Sequence, residues 1–234
     1  MSYPNAVALT AADSTQFNAY TAFPTTAGPH PGIILLQEAF GVNSHIRNVA
    51  DRLAETGYVV IAPELFHRTA APGLEISYSD FASAMPHYQA TTPEGLTADV
   101  QAAYDWLGAQ PNVTDKIGSI GFCLGGRVSF LANVVLPLAA GVSYYGGGTH
   151  LLASRAPELH APHLFFWGGQ DAHIPQEQVL AVTAALDAAG KPYINTIISS
   201  ADHGFHCDER SSYNPQAAQE AWALTLAFLH EKLR

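Results

Sequence analysis

The 234-residue chain sets twenty Asp and Glu against ten Lys and Arg, a net charge of −10, with 48% hydrophobic and 13% charged residues. That balance excludes a disordered chain and supplies enough apolar surface for a full core. Basic residues form no cluster, which excludes nucleic acid and anionic membrane surfaces as electrostatic partners.

The opening Met-Ser-Tyr-Pro-Asn-Ala has no basic region followed by an apolar core, so no signal peptide is expected. No apolar run reaches membrane-spanning length, and two cysteines are too few for a disulfide framework. A cytoplasmic protein, monomeric or a small homo-oligomer, is expected.

In chain order, residues 7–10 and 15–23 read as an early strand pair across Ala-Ala-Asp-Ser. Residues 32–37 are a buried strand, followed by the loop Glu-Ala-Phe-Gly-Val-Asn. The span 45–56 is helical, with Ile46, Val49, Ala50 and Leu53 at helix spacing, and Gly57 stops it before a strand at 58–62. Helices are expected over 80–89 and 96–109, then a short buried strand at 116–120. Arg127 opens a helical stretch, and strands follow at 138–145 and 162–167. A helix over 176–189 closed by Gly190, a strand over 193–198 and a helix over 215–233 complete the chain. This alternation predicts one α/β domain over 1–234, with a mostly parallel sheet covered by helices on both faces. Ligands in such sheets sit at the carboxyl ends of the strands.

Between the strand at 116–120 and the next helix stands Gly121-Phe122-Cys123-Leu124-Gly125-Gly126. A small-x-nucleophile-x-small turn from strand to helix is the nucleophile elbow of the α/β-hydrolase fold, here with cysteine. Such a turn is tight and strained, so positions two before and two after the nucleophile must lack bulk, as Gly121 and Gly125 do. The helix N-terminus favours a thiolate, and Leu124 would offer its backbone N–H to an oxyanion. The alternative is a glycine-rich turn around an inert cysteine.

A cysteine nucleophile needs a base, and the base needs an orienting group. The elbow fold orders them nucleophile, acid, histidine. Asp171, in Trp-Gly-Gly-Gln-Asp-Ala-His-Ile-Pro, and His203, in Ala-Asp-His-Gly-Phe, each follow a predicted strand and keep that order after Cys123. Of the eleven histidines, His30, His45, His67, His87, His150, His160 and His230 read as surface or loop residues. His173, beside Asp171, is at most a supporting residue. His203, His206, Cys207 and Asp208 lack a zinc-ligand spacing, so no metal and no cofactor are expected. Glu38 ends the first core strand, where it would lie near the elbow. There a carboxylate would hydrogen-bond the thiol and disfavour the thiolate, leaving the cysteine a thiol until substrate arrives. Its plainer readings are a solvated loop carboxylate or an N-terminal partner for the following helix.

These stretches together resemble the dienelactone hydrolase (carboxymethylenebutenolidase) family. The matching segments are Gln37-Glu38-Ala39-Phe40-Gly41-Val42-Asn43, Gly57-Tyr58, Ala62-Pro63-Glu64-Leu65 and the elbow. Tyr144-Tyr145-Gly146, Gly168-Gly169-Gln170-Asp171 and Asp202-His203-Gly204-Phe205 continue the match. The resemblance implies a Cys123–His203–Asp171 triad and a Glu38 that swings toward the cysteine on substrate binding. It also implies an oxyanion hole from the N–H groups of Leu124 and Ala39.

One departure stands out. Relatives acting on dienelactone hold its carboxylate with two arginines, one after the Ala-Pro-Glu-Leu strand and one just after the histidine. Here no arginine occurs between Arg68 and Arg127, Cys207 stands four residues after His203, and Arg210 comes three further on. A neutral or bulkier ester or lactone is therefore expected, with Phe40, Phe81, Tyr88, Tyr145 and Phe205 as an aromatic acyl pocket or as core packing. A thioesterase on the same triad, and a hydrolase-fold ligand sensor without turnover, remain as other readings.

Overall fold

β1 (Ala6–Thr10) and β2 (Gln16–Ala22) form the expected antiparallel pair, with Leu9 opposite Phe17 and Ala6 opposite Tyr20. The computed structural model describes Tyr3 and residues 5–234, so Met1, Ser2 and Pro4 of the opening stretch read for a leader lie outside the described residues. Two units organise the chain, one reaching to Gly118 and the other Ser119–Arg234.

In the first unit, β2 runs antiparallel to β4 (Val59–Pro63), and β4 runs parallel to β3 (His30–Leu36), giving the order β1-β2-β4-β3. All five residues of β4 are buried, as in a strand covered on both faces. Helix α1 (Ser44–Glu55) begins where Asn43 Oδ1 accepts the Ile46 N–H at 3.2 Å, and it buries Ile46, Val49, Ala50 and Leu53. It packs on β2 and β4. Helix α2 (Phe81–Gln89) is capped by Asp80.

Helix α3 (Pro93–Gly108) starts three residues before the expected position. Thr92 caps it by accepting the Gly95 N–H at 3.1 Å, and Pro93 takes the first helical position, where a missing N–H costs nothing. It packs against β1, β3 and β4 and buries Asp99. The charge of Asp99 is met by Arg68 Nη1 at 2.8 and 2.9 Å and by His67 Nε2 at 2.9 Å. His67 lies in the turn after β4, among the expected loop residues, but its side chain is buried, with the ring stacked on Phe17. His45 is buried too, because α1 turns that position inward.

β5 (Val113–Phe122) runs from the first unit into the second. There β6 (Ala140–Tyr144), β7 (His163–Gly168) and β8 (Tyr193–Ile198) lie parallel, with Tyr144 opposite Phe166 and Gly168 opposite Ile198. Helix α4 (Leu124–Val135) packs on β6, and α6 (Pro215–Leu233) packs on β6 and β7. Helix α5 (Gln176–Ala188) packs on an element absent from the expectation, the 3-10 helix Thr149–Glu158. No helix of the described residues is long and apolar enough to cross a membrane.

Candidate active site

Cys123 sits between β5 and α4 with φ 54° and ψ −114°, a left-handed backbone that a side-chain-bearing residue adopts only under constraint. Three contacts impose it. A Cβ at Gly121 would overlap the Gly125 carbonyl, so the turn closes only around glycine. The Cys123 N–H donates to the Tyr144 carbonyl at the end of β6, at 3.0 Å. The Cys123 carbonyl in turn accepts the Gly126 N–H at 3.0 Å, starting α4. Leu124 follows as the first helical residue, one of the positions whose N–H a helix leaves without an internal acceptor. Cys123 as a residue is partly exposed.

Asp171 lies just past β7 and its carboxylate is saturated from two sides. Oδ1 accepts the backbone N–H groups of His173 at 2.8 Å and Ile174 at 3.2 Å. Oδ2 accepts Nδ1–H of His203 at 2.8 Å. Burial opposes the charge of Asp171, but the His203 hydrogen bond and charge, then the His173 N–H, outweigh it and hold the carboxyl below its ordinary range. The loop after β8 delivers His203, whose ring lies near enough to the Cys123 side chain for the sulfur to act on its pKa. With Nδ1 engaged by Asp171, Nε2 is the nitrogen left for sulfur. Burial works against a charged His203 ring. Interaction with Cys123 and the hydrogen bond to Asp171 overcome it and raise the imidazole to about 10.

The Tyr145 ring lies 5.1 Å from that of His203 and meets Phe205 edge-on at 5.3 Å. Tyr145 is itself in a left-handed conformation, with φ 37°, at the end of β6. Both Tyr145 and Phe205 are fully buried. His173 presents its ring edge-on to His203 at 5.4 Å, and His206 packs among Phe122, Tyr144 and Trp222. Arg210 folds back so that its guanidinium covers Gly204; a Cβ there would stand 2.5 Å from Arg210 Cζ. In the first unit, Glu38 and Ala39 are fully buried, which departs from the solvated-carboxylate alternative for Glu38. Phe40 packs on Tyr78 at 4.6 Å and on Phe81 at 6.1 Å, while Phe81 stays half exposed and Tyr88 partly so.

Sequence reasoning missed the backbone N–H of His173 as the group that orients Asp171. Its signal was present in Asp-Ala-His-Ile-Pro, since an Asp that bonds the N–H two residues on makes an Asx-turn.

The Dienelactone hydrolase family matches residues 17–233 of this chain. A Synechocystis protein provisionally named carboxymethylenebutenolidase is 35% identical over 221 residues, covering 88% of each chain. The carboxymethylenebutenolidase of Pseudomonas putida is 32% identical, covering 93% of this chain and 92% of its own. Among solved structures, a provisionally assigned dienelactone hydrolase from Klebsiella pneumoniae is 33% identical, with a TM-score of 0.84. That likeness covers 96% of this chain and 98% of that one. The fold is that of the α/β-hydrolases.

Proposed function

Because the chain belongs to the dienelactone hydrolase family, we propose that it hydrolyses esters or lactones through a thioacyl intermediate on Cys123. The observation that carries this reading is the Asp171–His203 hydrogen bond at 2.8 Å beside Cys123, with the cysteine on a strained turn at the N-terminus of α4. In the first half-reaction the thiolate attacks the substrate carbonyl, and the oxyanion is met by the N–H groups of Leu124 and Ala39. His203 then gives its Nε2 proton to the leaving alkoxide as the C–O bond breaks. A water next attacks the thioester, passing its proton to His203, and the C–S bond breaks to release the acid and restore the thiolate. Asp171 keeps the ring in the tautomer this shuttle needs.

Glu38 has the role the resemblance implies, control of the thiol. Its burial supports that reading over a solvent-facing one. With the two family arginines absent, a small neutral ester or lactone is the substrate class.

The test is a burst of p-nitrophenol from p-nitrophenyl acetate, quantified against enzyme concentration. One equivalent trapped as a thioester on Cys123, and turnover lost by at least about 1,000-fold in Cys123→Ala, supports the reading. Wild-type turnover in Cys123→Ala ends it, as does stoichiometric binding with no release, which would make the protein a sensor.

A further inference from the structure

The second unit buries a titratable side chain that the proposed chemistry does not use. His163, the first residue of β7, is 0% exposed, its ring stacked on Phe165 at 4.4 Å and tilted against Phe130 at 5.7 Å. The position of its proton follows from a backbone group. The Ala161 N–H donates to Asn133 Oδ1 at 2.9 Å, which fixes the orientation of that amide. Asn133 Nδ2 therefore faces the Ala161 carbonyl at 2.9 Å and His163 Nδ1 at 3.1 Å. Nδ1 must accept, so the proton is on Nε2, 2.8 Å from Ser143 Oγ. A hydroxyl that accepts there has its own hydrogen to give, and it goes to the Gly126 carbonyl at 2.6 Å.

The bonds therefore run in one direction, from Asn133 through His163 and Ser143 to Gly126. The end point matters because Gly126 lies in the first turn of α4, three residues past the nucleophile. The next residue of β6, Tyr144, takes the Cys123 N–H at 3.0 Å. Two adjacent residues of β6 thus hold the two sides of the nucleophile's turn. Gly126 is pressed so close that a Cβ on it would stand 2.7 Å from the Tyr144 carbonyl.

We propose that His163 is a positioning residue for the nucleophile turn: its Nε2–H aims the Ser143 hydroxyl at the Gly126 carbonyl and so fixes Leu124 N–H relative to Cys123. The proposal rests on the reading of Cys123 as nucleophile. A protonated ring would point a hydrogen at the Asn133 NH2, so the relay requires the neutral imidazole. Burial supplies it, pushing His163 down to about 3. An oxyanion donor displaced by a fraction of an ångström loses transition-state stabilisation while substrate binding is retained, so the relay acts on kcat rather than KM.

Three variants test this against a purely space-filling role. A glutamine amide reaches the place of Nε2 and can still donate to Ser143, whereas an asparagine amide stops near Nδ1. With p-nitrophenyl acetate, Ser143→Ala and His163→Asn are expected to lose about tenfold in kcat with KM within about twofold, and His163→Gln to keep kcat within about threefold. Amide hydrogen exchange over residues 123–127 is expected to speed up in the first two variants and not in the third. A Ser143→Ala enzyme with wild-type kcat and wild-type exchange overturns the proposal. So does a His163→Gln enzyme as impaired as His163→Asn, since ring volume and not the donor would then matter. Should Cys123→Ala retain activity, the nucleophile reading fails instead, and the exchange pattern still shows whether the relay orders the turn.

Discussion

The backbone N–H of His173 reaches Asp171 Oδ1 at 2.8 Å, on the carboxylate oxygen opposite the one that holds His203. With the Ile174 N–H, it helps aim the carboxylate that holds His203 Nδ1. In Asp171→Asn the amide oxygen can keep the His173 and Ile174 N–H groups, which turns the NH2 toward His203 Nδ1 and forces the wrong tautomer. We expect kcat for p-nitrophenyl acetate to fall by about 100- to 10,000-fold with KM little changed.

The same substitution carries a pH signature. The folded-state carboxyl of Asp171 is held below its ordinary value. Its stabilisation is therefore present above the unfolded value of about 4 and is lost as pH falls through the depressed folded value. Urea unfolding should show wild type ahead of Asp171→Asn at about pH 6, with the gap closing toward pH 2. A gap that widens on acidification would contradict the assignment.

Two glycines should respond to alanine in opposite ways. At Gly121 the added methyl overlaps the Gly125 carbonyl, whereas nothing lies within 4 Å of a Cβ at Gly108, the last residue of α3. Gly121→Ala is expected to cost about 3 kcal/mol with loss of esterase activity. Gly108→Ala should gain about 0.5–1 kcal/mol with activity intact. Denaturant midpoints at constant m-value decide both.

Alkylation by iodoacetamide reads the ionisation of Cys123 directly. Burial opposes a charged His203, but interaction with Cys123 and Asp171 raises it to about 10, so the ring is a cation beside the sulfur near neutral pH. His203→Gln should slow alkylation near neutral pH by about tenfold or more, since the thiolate loses its counter-charge. Glu38→Gln should speed alkylation while turnover falls, if the carboxylate restrains the thiolate as proposed. Unchanged rates in both variants would remove His203 and Glu38 from control of the sulfur.

Substrate choice turns on Arg210. We expect a neutral lactone to match or exceed cis-dienelactone in kcat/KM, since loss of a bidentate arginine clamp costs about 2–4 kcal/mol, or about 30- to 1,000-fold. Acyl-CoA substrates in the same panel separate a thioesterase. Arg210 already lies over Gly204, next to His203. A strong preference for dienelactone that disappears in Arg210→Ala would reverse the expectation and assign the anion to that guanidinium.

The legible parts of the chain were those with marked ends. β8 and α6 fall on the expected residues because Gly190 and Pro192 precede the first, while Asn214 and Pro215 cap the second. α3 began early although Thr92-Pro93-Glu94 carried the start signal, because apolar periodicity resumes only at Leu96. The 3-10 helix had no 3.6-residue period to read and contains Pro157. Cys123, Asp171 and His203 were marked in the sequence because each stands just past a strand-like run, and Asp171 and His203 do meet at 2.8 Å. The His163 relay was not, since its partners lie 20 and 30 residues away and declare themselves only once β6, β7 and α4 are packed.

His163 also binds the future of a residue it never bonds. A Cβ at Gly141 would run into the imidazole at Nδ1 and Cε1. Any side chain at 141 is therefore admissible only after 163 has shrunk, and the reverse step strands a cavity beside the relay. The two positions form a ratchet in sequence space: single-site libraries at 141 should return glycine alone, and only paired libraries can find the double variants that reshape this corner of the core.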